Sequence, residues 1–393
     1  MRFLLILLLS CQPYFAVSLL YSAVPSVLRQ NGASLQTLGL FGLVFFAFTV
    51  NFLWAPLVDR RAPAGIERRR FWLVATQIGS GLLFVILAVL DPARNLAGIL
   101  IAGMLLAAFA ATQRSVILGF SADVLGDAEK PWGATAFGWG TAVGNIIGGS
   151  LALLLVQGIG WTASLAGLAA ISFALLPVLM LVKGSEQRPA IRSGGLRIIA
   201  NRNAWAVMLA LAPATFGLAV AFAMTQPRLV DLGFDLTSIG LAAGLGNLVA
   251  ATLAGPLAGW LGTRTPLGTL MAGGPAVIAV ITLGLLGATR LTGEWGGALA
   301  SVVVIFSAIC ALGVISNTVF LKIAGDGDAA ATEVTFLSAV MSLVALAGFM
   351  ASGFIAATGG YGATLAAAAT GCALTAGLIC LPWPRASLAA REI

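Results

Sequence analysis

Apolar runs long enough to cross a bilayer recur along almost the whole chain, and no other feature limits the fold so tightly. A helix rising roughly 1.5 Å per residue needs about 20 apolar residues to traverse about 30 Å of hydrocarbon. Twelve such runs are readable, near residues 3–27, 36–58, 71–90, 96–120, 132–157, 161–182, 204–226, 238–261, 268–289, 297–320, 333–357 and 362–382. Apolar residues make up 60% of the 393, charged residues only 9%, and mean hydropathy is +1.02. A water-facing surface cannot be built from that supply, so the chain is expected to be an all-α membrane protein.

The stretch from Asn51 to Arg70 fixes which side is which. Its apolar part ends at Val58, and Asp59 opens a short loop carrying Arg60, Arg61, Arg68, Arg69 and Arg70. Basic residues in short loops resist translocation, so this loop is assigned to the cytoplasm. Threading the other spans from it puts sixteen of the 21 Lys and Arg residues on that side. Four lie on the other: Arg29, Arg94, Arg228 and Arg290. Both termini are then cytoplasmic. The net charge of +7 follows the inside-positive pattern and does not call for a nucleic-acid partner. At the N-terminus Arg2, the apolar run Phe3 to Leu9 and Ser10-Cys11 have the outline of a lipoprotein signal. The apolar character continues to Val24, however, which favours an uncleaved first span.

Histidine is absent, which excludes histidine triads, imidazole metal ligands and histidine proton relays. The four cysteines, Cys11, Cys310, Cys372 and Cys380, lie in apolar runs without paired spacing, so neither a disulfide nor a metal site is expected. No phosphate-binding loop is present, and no nucleophile can be matched with a base, so an enzyme is not expected.

An internal repeat is visible at an offset near 200. Pro13 matches Pro213, Pro25 matches Pro227, Gly32 matches Gly233, Leu35 matches Leu236, Gly39 matches Gly240 and Pro56 matches Pro256. Such parallel halves belong to two-lobed transporters with a substrate site near the midplane. The expected division is a six-helix bundle over 1–182, a basic cytoplasmic linker over 183–203 and a second six-helix bundle over 204–393. The linker reads equally well as a short amphipathic surface helix or as solvated chain.

The sequence from Phe52 to Arg60, FLWAPLVDR, then Arg68-Arg69-Arg70, Trp72, Thr76, Gln77 and Ala111-Thr112-Gln113, resembles the major facilitator superfamily. Within it the likeness is to the branch of muropeptide permeases, acetyl-CoA transporters and rhizobactin- and pyochelin-type siderophore permeases. The likeness covers roughly residues 20–165; the second half matches in general character. It implies twelve helices in two pseudo-symmetric bundles working by alternating access. Two positions depart from the branch: Asn51 stands where a Lys is usual, and Arg114 where an acid follows Ala-Thr-Gln. The resemblance also implies that Asp59 holds the lobes together in the outward-open state. An anion there would suit the N-terminus of the eleventh span near Glu333. Asp59, Arg60, Arg68, Arg69, Arg70 and Glu333 are therefore the expected gating residues, against the plainer reading that Asp59 only tempers its arginines.

Arg114 is the one charge well inside a span, where burial is expensive unless paired or hydrated. It would either receive a substrate carboxylate through its planar fork or snorkel toward the inner face beside Asp123. The other expected substrate-binding residues are Gln12, Tyr21, Asn51, Gln113, Asn145 and Asn317, polar groups that should face the bundle interior, where helix-to-helix bonding is their plainer role. Glycines of the fifth span, Gly138, Gly140, Gly144, Gly148 and Gly149, are expected to pack between the lobes. All fourteen carboxylates fall in loops or at span ends. Proton coupling would need an edge acid such as Asp123 or Glu333, or the substrate's own proton.

The favoured expectation is a monomeric inner-membrane importer of a small organic solute, a siderophore first and a muropeptide second, with a drug or metabolite exporter as a further alternative. A non-transporting membrane sensor is the alternative class. No cofactor is expected; iron would enter only as cargo, as a siderophore complex, and a proton is the candidate coupling ion.

Overall fold

The computed structural model describes residues 2–54, 58, 67–125, 129–179, 201–324 and 330–381. Among these, ten helices are long and apolar enough to cross a membrane. They are α1 (Phe3–Gln30), α3 (Arg68–Val89), α4 (Leu96–Ser121), α5 (Thr135–Ile159), α6 (Trp161–Leu179), α7 (Ala204–Asp231), α8 (Leu236–Arg264), α9 (Leu267–Ala288), α10 (Gly293–Ile323) and a long rod, Glu333–Ile379. That rod leaves helical geometry at Gly360 (φ 70°) and so comprises two arms, α11 (333–359) and α12 (361–379). A shorter apolar helix, α2 (Leu35–Val50), occupies the second predicted run. Twelve apolar rods thus stand where twelve were expected. Asp59, Arg60, Arg61 and nearly all of the 183–203 linker lie outside the described residues.

Five turns share one local solution. Gly32, Gly160, Gly233, Gly293 and Gly360 follow α1, α5, α7, α9 and α11, each with φ between 70° and 86°. A side chain is strained in that left-handed region, so glycine closes these helices. At the α8 entrance Asp235 accepts from the Ser238 hydroxyl, which holds its carboxyl below the usual range.

Contacts divide the chain into two compact units. The first comprises Met1–Ala33, Leu43–Ala190 and Phe234–Gly244. The end that carries Arg68, Arg69 and Arg70 is cored by Ile6, Leu9, Leu73, Val116, Ile117 and Phe120. The α5 glycines lie on α1: a methyl at Gly140, Gly144 or Gly148 would sit 2.3, 2.4 or 1.9 Å from the carbonyl oxygen of Leu7, Cys11 or Phe15. The expectation that these glycines pack between lobes is corrected for these three, because the i, i+4, i+8 stripe is used up inside one unit. Gly138 has open space around it.

The second unit comprises Ser34–Gly42, Ile191–Gly233 and Leu245–Ile393. Its core includes Leu211, Leu218, Met271, Ile305, Phe320, Leu337 and Cys372. Here α7 meets α11 and α12 through glycine: a methyl on Gly348 would lie 2.6 Å from the Phe216 oxygen, and one on Gly371 2.2 Å from that of Pro213.

The repeat seen in sequence reappears in these internal contacts. In the first unit Gly148 meets Phe15; in the second Gly348 meets Phe216. Gly240 packs on Ser150 and Leu153 in the first, and Gly39 packs on Met350 and Gly353 in the second. Each member of one pair is 200 or 201 residues from its counterpart. Side-chain size at matched positions is therefore set by the same helix approach, which no chance agreement of glycines would reproduce.

Candidate functional site

In the first unit the polar groups converge on one short stretch of α4, Ala111 to Ser115. Residues three apart share a helix face, so Thr112 and Ser115 look the same way. Asn51, just beyond α2, donates through Nδ2 to Ser115 Oγ at 2.6 Å and to the Ala111 carbonyl at 3.3 Å. Trp54 donates from its indole to Thr112 Oγ1 at 2.9 Å. Gln113 faces the opposite way, into the unit, and donates to Gln77 Oε1 at 2.7 Å. Arg114 takes a third direction and is exposed. Its Nε donates to Tyr14 Oη of α1 at 2.9 Å. Tyr14 is itself held edge-on by Phe137, ring centres 5.9 Å apart.

That geometry bears on chemistry because a guanidinium has five N–H donors and Arg114 commits one of them. The fork formed by Nη1 and Nη2 has no other partner among the described residues. The side chain of Asp123, the partner considered for snorkelling, lies outside them. The Asn51 Oδ1 and Asn145 Oδ1 atoms are buried without a partner among the described residues. Tyr21 is half-buried in the π-helical turn Leu19–Ala23. Gln12 and Gln113 are both sealed, at 1% and 0% exposure. In this conformation they reach each other's neighbourhood through Gln77 and Ser172 and do not reach a solute-accessible surface.

Among the expected gating residues, Arg69 is buried at the start of α3. Its Nη1 donates to the Val116 carbonyl at 3.4 Å. It fits because Gly119 lacks a side chain; a methyl there would fall 2.1 Å from Nη1. Arg68 and Arg70 are half-buried beside it. Glu333 stands in the first turn of its helix, where a negative charge is favourable. Asp59 and Arg60 lie outside the described residues.

The second unit holds a pocket of about 300 Å³ bounded by α7, α10 and α11. Asn317 lines it with Thr215, Ser316, Ser338 and Ser342, and the apolar part comes from Phe222, Phe349 and Met341. Phe222 is fixed between Phe306 and Phe349, at 4.9 and 6.0 Å between ring centres. Every lining group is neutral, so the pocket suits hydroxyls, amides and the flat faces of rings. A larger groove of about 470 Å³ runs along α8, α9 and α10. Its walls are Leu, Ile, Val and Ala with a few hydroxyls, and Leu257, Val277 and Ile281 are exposed. Size alone does not make it the site, since it offers little for recognising a polar solute.

Ser115 and Ser172 join the first unit's network without having been singled out, and Tyr14, Gln77 and Thr112 without having been chosen as site residues. Mid-span serines and threonines carry little signal, because each can satisfy itself on its own helix, as Ser115 does on Ala111.

The superfamily profile, Major Facilitator Superfamily, matches residues 6–332. The chain belongs to the Major Facilitator Superfamily. That is a family of transporters, so the chain stands among permeases and not among enzymes. It is similar to the anhydromuropeptide permease of Escherichia coli (strain K12), 29% identical over 271 residues, which cover 66% of this chain and 53% of that protein. The chain thus spans about half the length of that relative. Among solved structures it resembles a bacterial homologue of the human lysosomal transporter Spinster, inward-facing and unoccupied. The TM-score is 0.70 at 17% identity, covering 98% of this chain and 95% of that one. It also resembles a D-xylose-proton symporter, with TM-score 0.72 at 12% identity over 96% of each chain. At such identities these likenesses speak for the fold. The siderophore expectation finds no support among these relatives, and the second choice, a muropeptide, is the one that a relative's name carries.

Proposed function

We propose that this chain is a secondary transporter of a bacterial inner membrane, that it works by alternating access, and that its solute is of the muropeptide class. The observation that carries the reading is the Arg114–Tyr14 pair: a guanidinium aimed by one bond, with its carboxylate-matching edge uncommitted among the described residues. A muropeptide joins sugar rings to a peptide that ends in a carboxylate. Within the second unit, the neutral pocket around Asn317 is lined by hydroxyls, an amide and the rings of Phe222 and Phe349, a chemistry that sugars also use. Similarity to an anhydromuropeptide permease over 271 residues supports the same choice. A ferric siderophore would instead favour a larger cationic or aromatic enclosure than these two surfaces supply.

The test is uptake into proteoliposomes of radiolabelled anhydromuropeptide and of a ferric siderophore, each with and without a pH gradient. Muropeptide accumulation that unlabelled muropeptide competes away, with no siderophore flux, is the expected result. Siderophore flux without muropeptide flux would overturn the assignment. The gradient arm decides coupling: since the carboxylates lie in loops or at span ends, any proton dependence is assigned to an edge acid or to the solute.

A further inference from the structure

The polar network inside the first unit leaves two acceptors without a partner among the described residues, and the route to them can be traced atom by atom. It begins at the backbone carbonyl of Ser172, which can only accept. Gln77 must therefore turn its Nε2 toward it, at 2.7 Å. That choice leaves Gln77 Oε1 as an acceptor, so Gln113 must present its own Nε2, also at 2.7 Å. Gln113 Oε1 is then left over. The Ser172 hydroxyl is directed at the Gln77 carbonyl, 3.4 Å away, and so accepts from Gln12 Nε2 at 3.0 Å. Gln12 Oε1 is left over in turn. Amide orientations are ordinarily assigned from such networks; here the chain is anchored at the Ser172 and Gln77 backbone carbonyls, which cannot donate, and the Gln113 and Gln12 orientations follow from it.

Gln12, Gln77 and Gln113 border one small cavity of about 10 Å³, whose wall also includes Leu9, Leu175 and Val178. That is about the room one water needs. The two leftover oxygens are acceptors, and the only remaining walls are apolar. An occupant must therefore bring two hydrogen-bond donors and fit the space of a single small molecule. A metal cation would need several more oxygens than the two on offer.

We infer that this cavity is a binding site for one water molecule, which donates to Gln12 Oε1 and Gln113 Oε1 and closes the network joining α1, α3, α4 and α6. The site is independent of which solute is carried, and it turns the buried Gln12 and Gln113 from solute ligands into the joint that holds four helices as one body.

The test uses the full chain in lipid nanodiscs. Radiolytic labelling in ¹⁸O-water reads out bound water next to side chains that bulk solvent cannot reach. Leu9, only 3% exposed, should take up label far faster than its exposure allows. Gln12→Met with Gln113→Met should cut that rate about tenfold while leaving labelling at exposed Leu82 unchanged. A high-resolution map of the unmodified protein should show a peak within hydrogen-bond distance of both oxygens. It also serves if the double variant fails to fold. The inference is overturned by a map in which Gln12 and Gln113 bond directly, by an empty cavity, or by Leu9 labelling no faster than other buried leucines. Occupancy that rises with sodium or potassium concentration would overturn it in favour of a cation.

Discussion

Replacing Arg114 by Ala removes the fork and leaves Tyr14 in place. A hydrogen bond to a charged group contributes about 1.5–3 kcal/mol, and a bidentate carboxylate would make two. Arg114 is exposed, so solvent competes for both partners, and the two bonds together should be worth about 2–3 kcal/mol rather than their nominal sum. At 1.4 kcal/mol per tenfold, that predicts roughly 30- to 150-fold weaker binding. Arg114→Lys keeps the charge and loses the second bond, so about tenfold is expected. Tyr14→Phe removes the bond that aims the fork, predicting about fivefold in the native background and no effect once Arg114 is gone. The assay is equilibrium binding of a labelled muropeptide and of the same molecule with its terminal carboxylate amidated. The loss must fall on the acid and spare the amide. Equal losses for the two ligands, or a Kd within twofold of native for the acid in Arg114→Ala, would refute carboxylate recognition and leave snorkelling as the residue's role.

Four further outcomes follow from the contacts. Gly148→Ala places a methyl 1.9 Å from the Phe15 oxygen where ordinary contact begins at 3.4 Å, so α5 and α1 must separate; about 1–3 kcal/mol of stability should be lost in a denaturation series. Gly119→Ala displaces the Arg69 guanidinium and should cost about 1–2 kcal/mol, with little added cost in an Arg69→Ala background, measured as a double-mutant cycle. Asn317→Leu removes the amide from the second unit's pocket and should weaken binding of a sugar-bearing solute roughly threefold to tenfold, read by equilibrium binding. Because the Ser238 hydroxyl depresses the Asp235 carboxyl, its contribution is complete above the ordinary carboxylate value and fades as pH falls through the lower folded value. Ser238→Ala should therefore move the Asp235 titration upward, read by NMR of a labelled aspartate, and move the acid limb of α8 stability with it.

What was legible in the sequence divides along a physical line. Spans announce themselves because lipid demands apolar length, and the repeat showed because glycine and proline act on the backbone wherever they stand. Gly32 and Gly233 were paired from sequence and prove to close equivalent turns with φ of 86° and 82°. The partners of polar side chains were not legible, since these depend on rotation about each helix axis, which an all-round apolar span does not encode. Thus Gln113 and Arg114, neighbours in sequence and chosen for the same role, point in different directions, one into a sealed network and one onto an exposed surface.

That divergence bears on how a carrier without a charged residue deep in most of its spans can still be selective. Rigid bodies are needed if a transporter is to rock without losing the geometry of its site. In the first unit rigidity comes from two sources inside the unit: the glycine stripe seating α5 on α1, and the Gln12–Ser172–Gln77–Gln113 chain tying α1, α3, α4 and α6. With those helices fixed, a single bond from Tyr14 suffices to aim Arg114, because Tyr14 rides on α1, the helix that both sources hold. Loosening either source should therefore degrade carboxylate selectivity at Arg114. Gly144→Ala, whose methyl would lie 2.4 Å from the Cys11 oxygen, three residues before Tyr14, is the direct test. It should reduce the ratio of acid to amide affinity toward unity more than it reduces affinity for the amide. A variant that loses affinity for both ligands in proportion would show that α1 carries the site without orienting it.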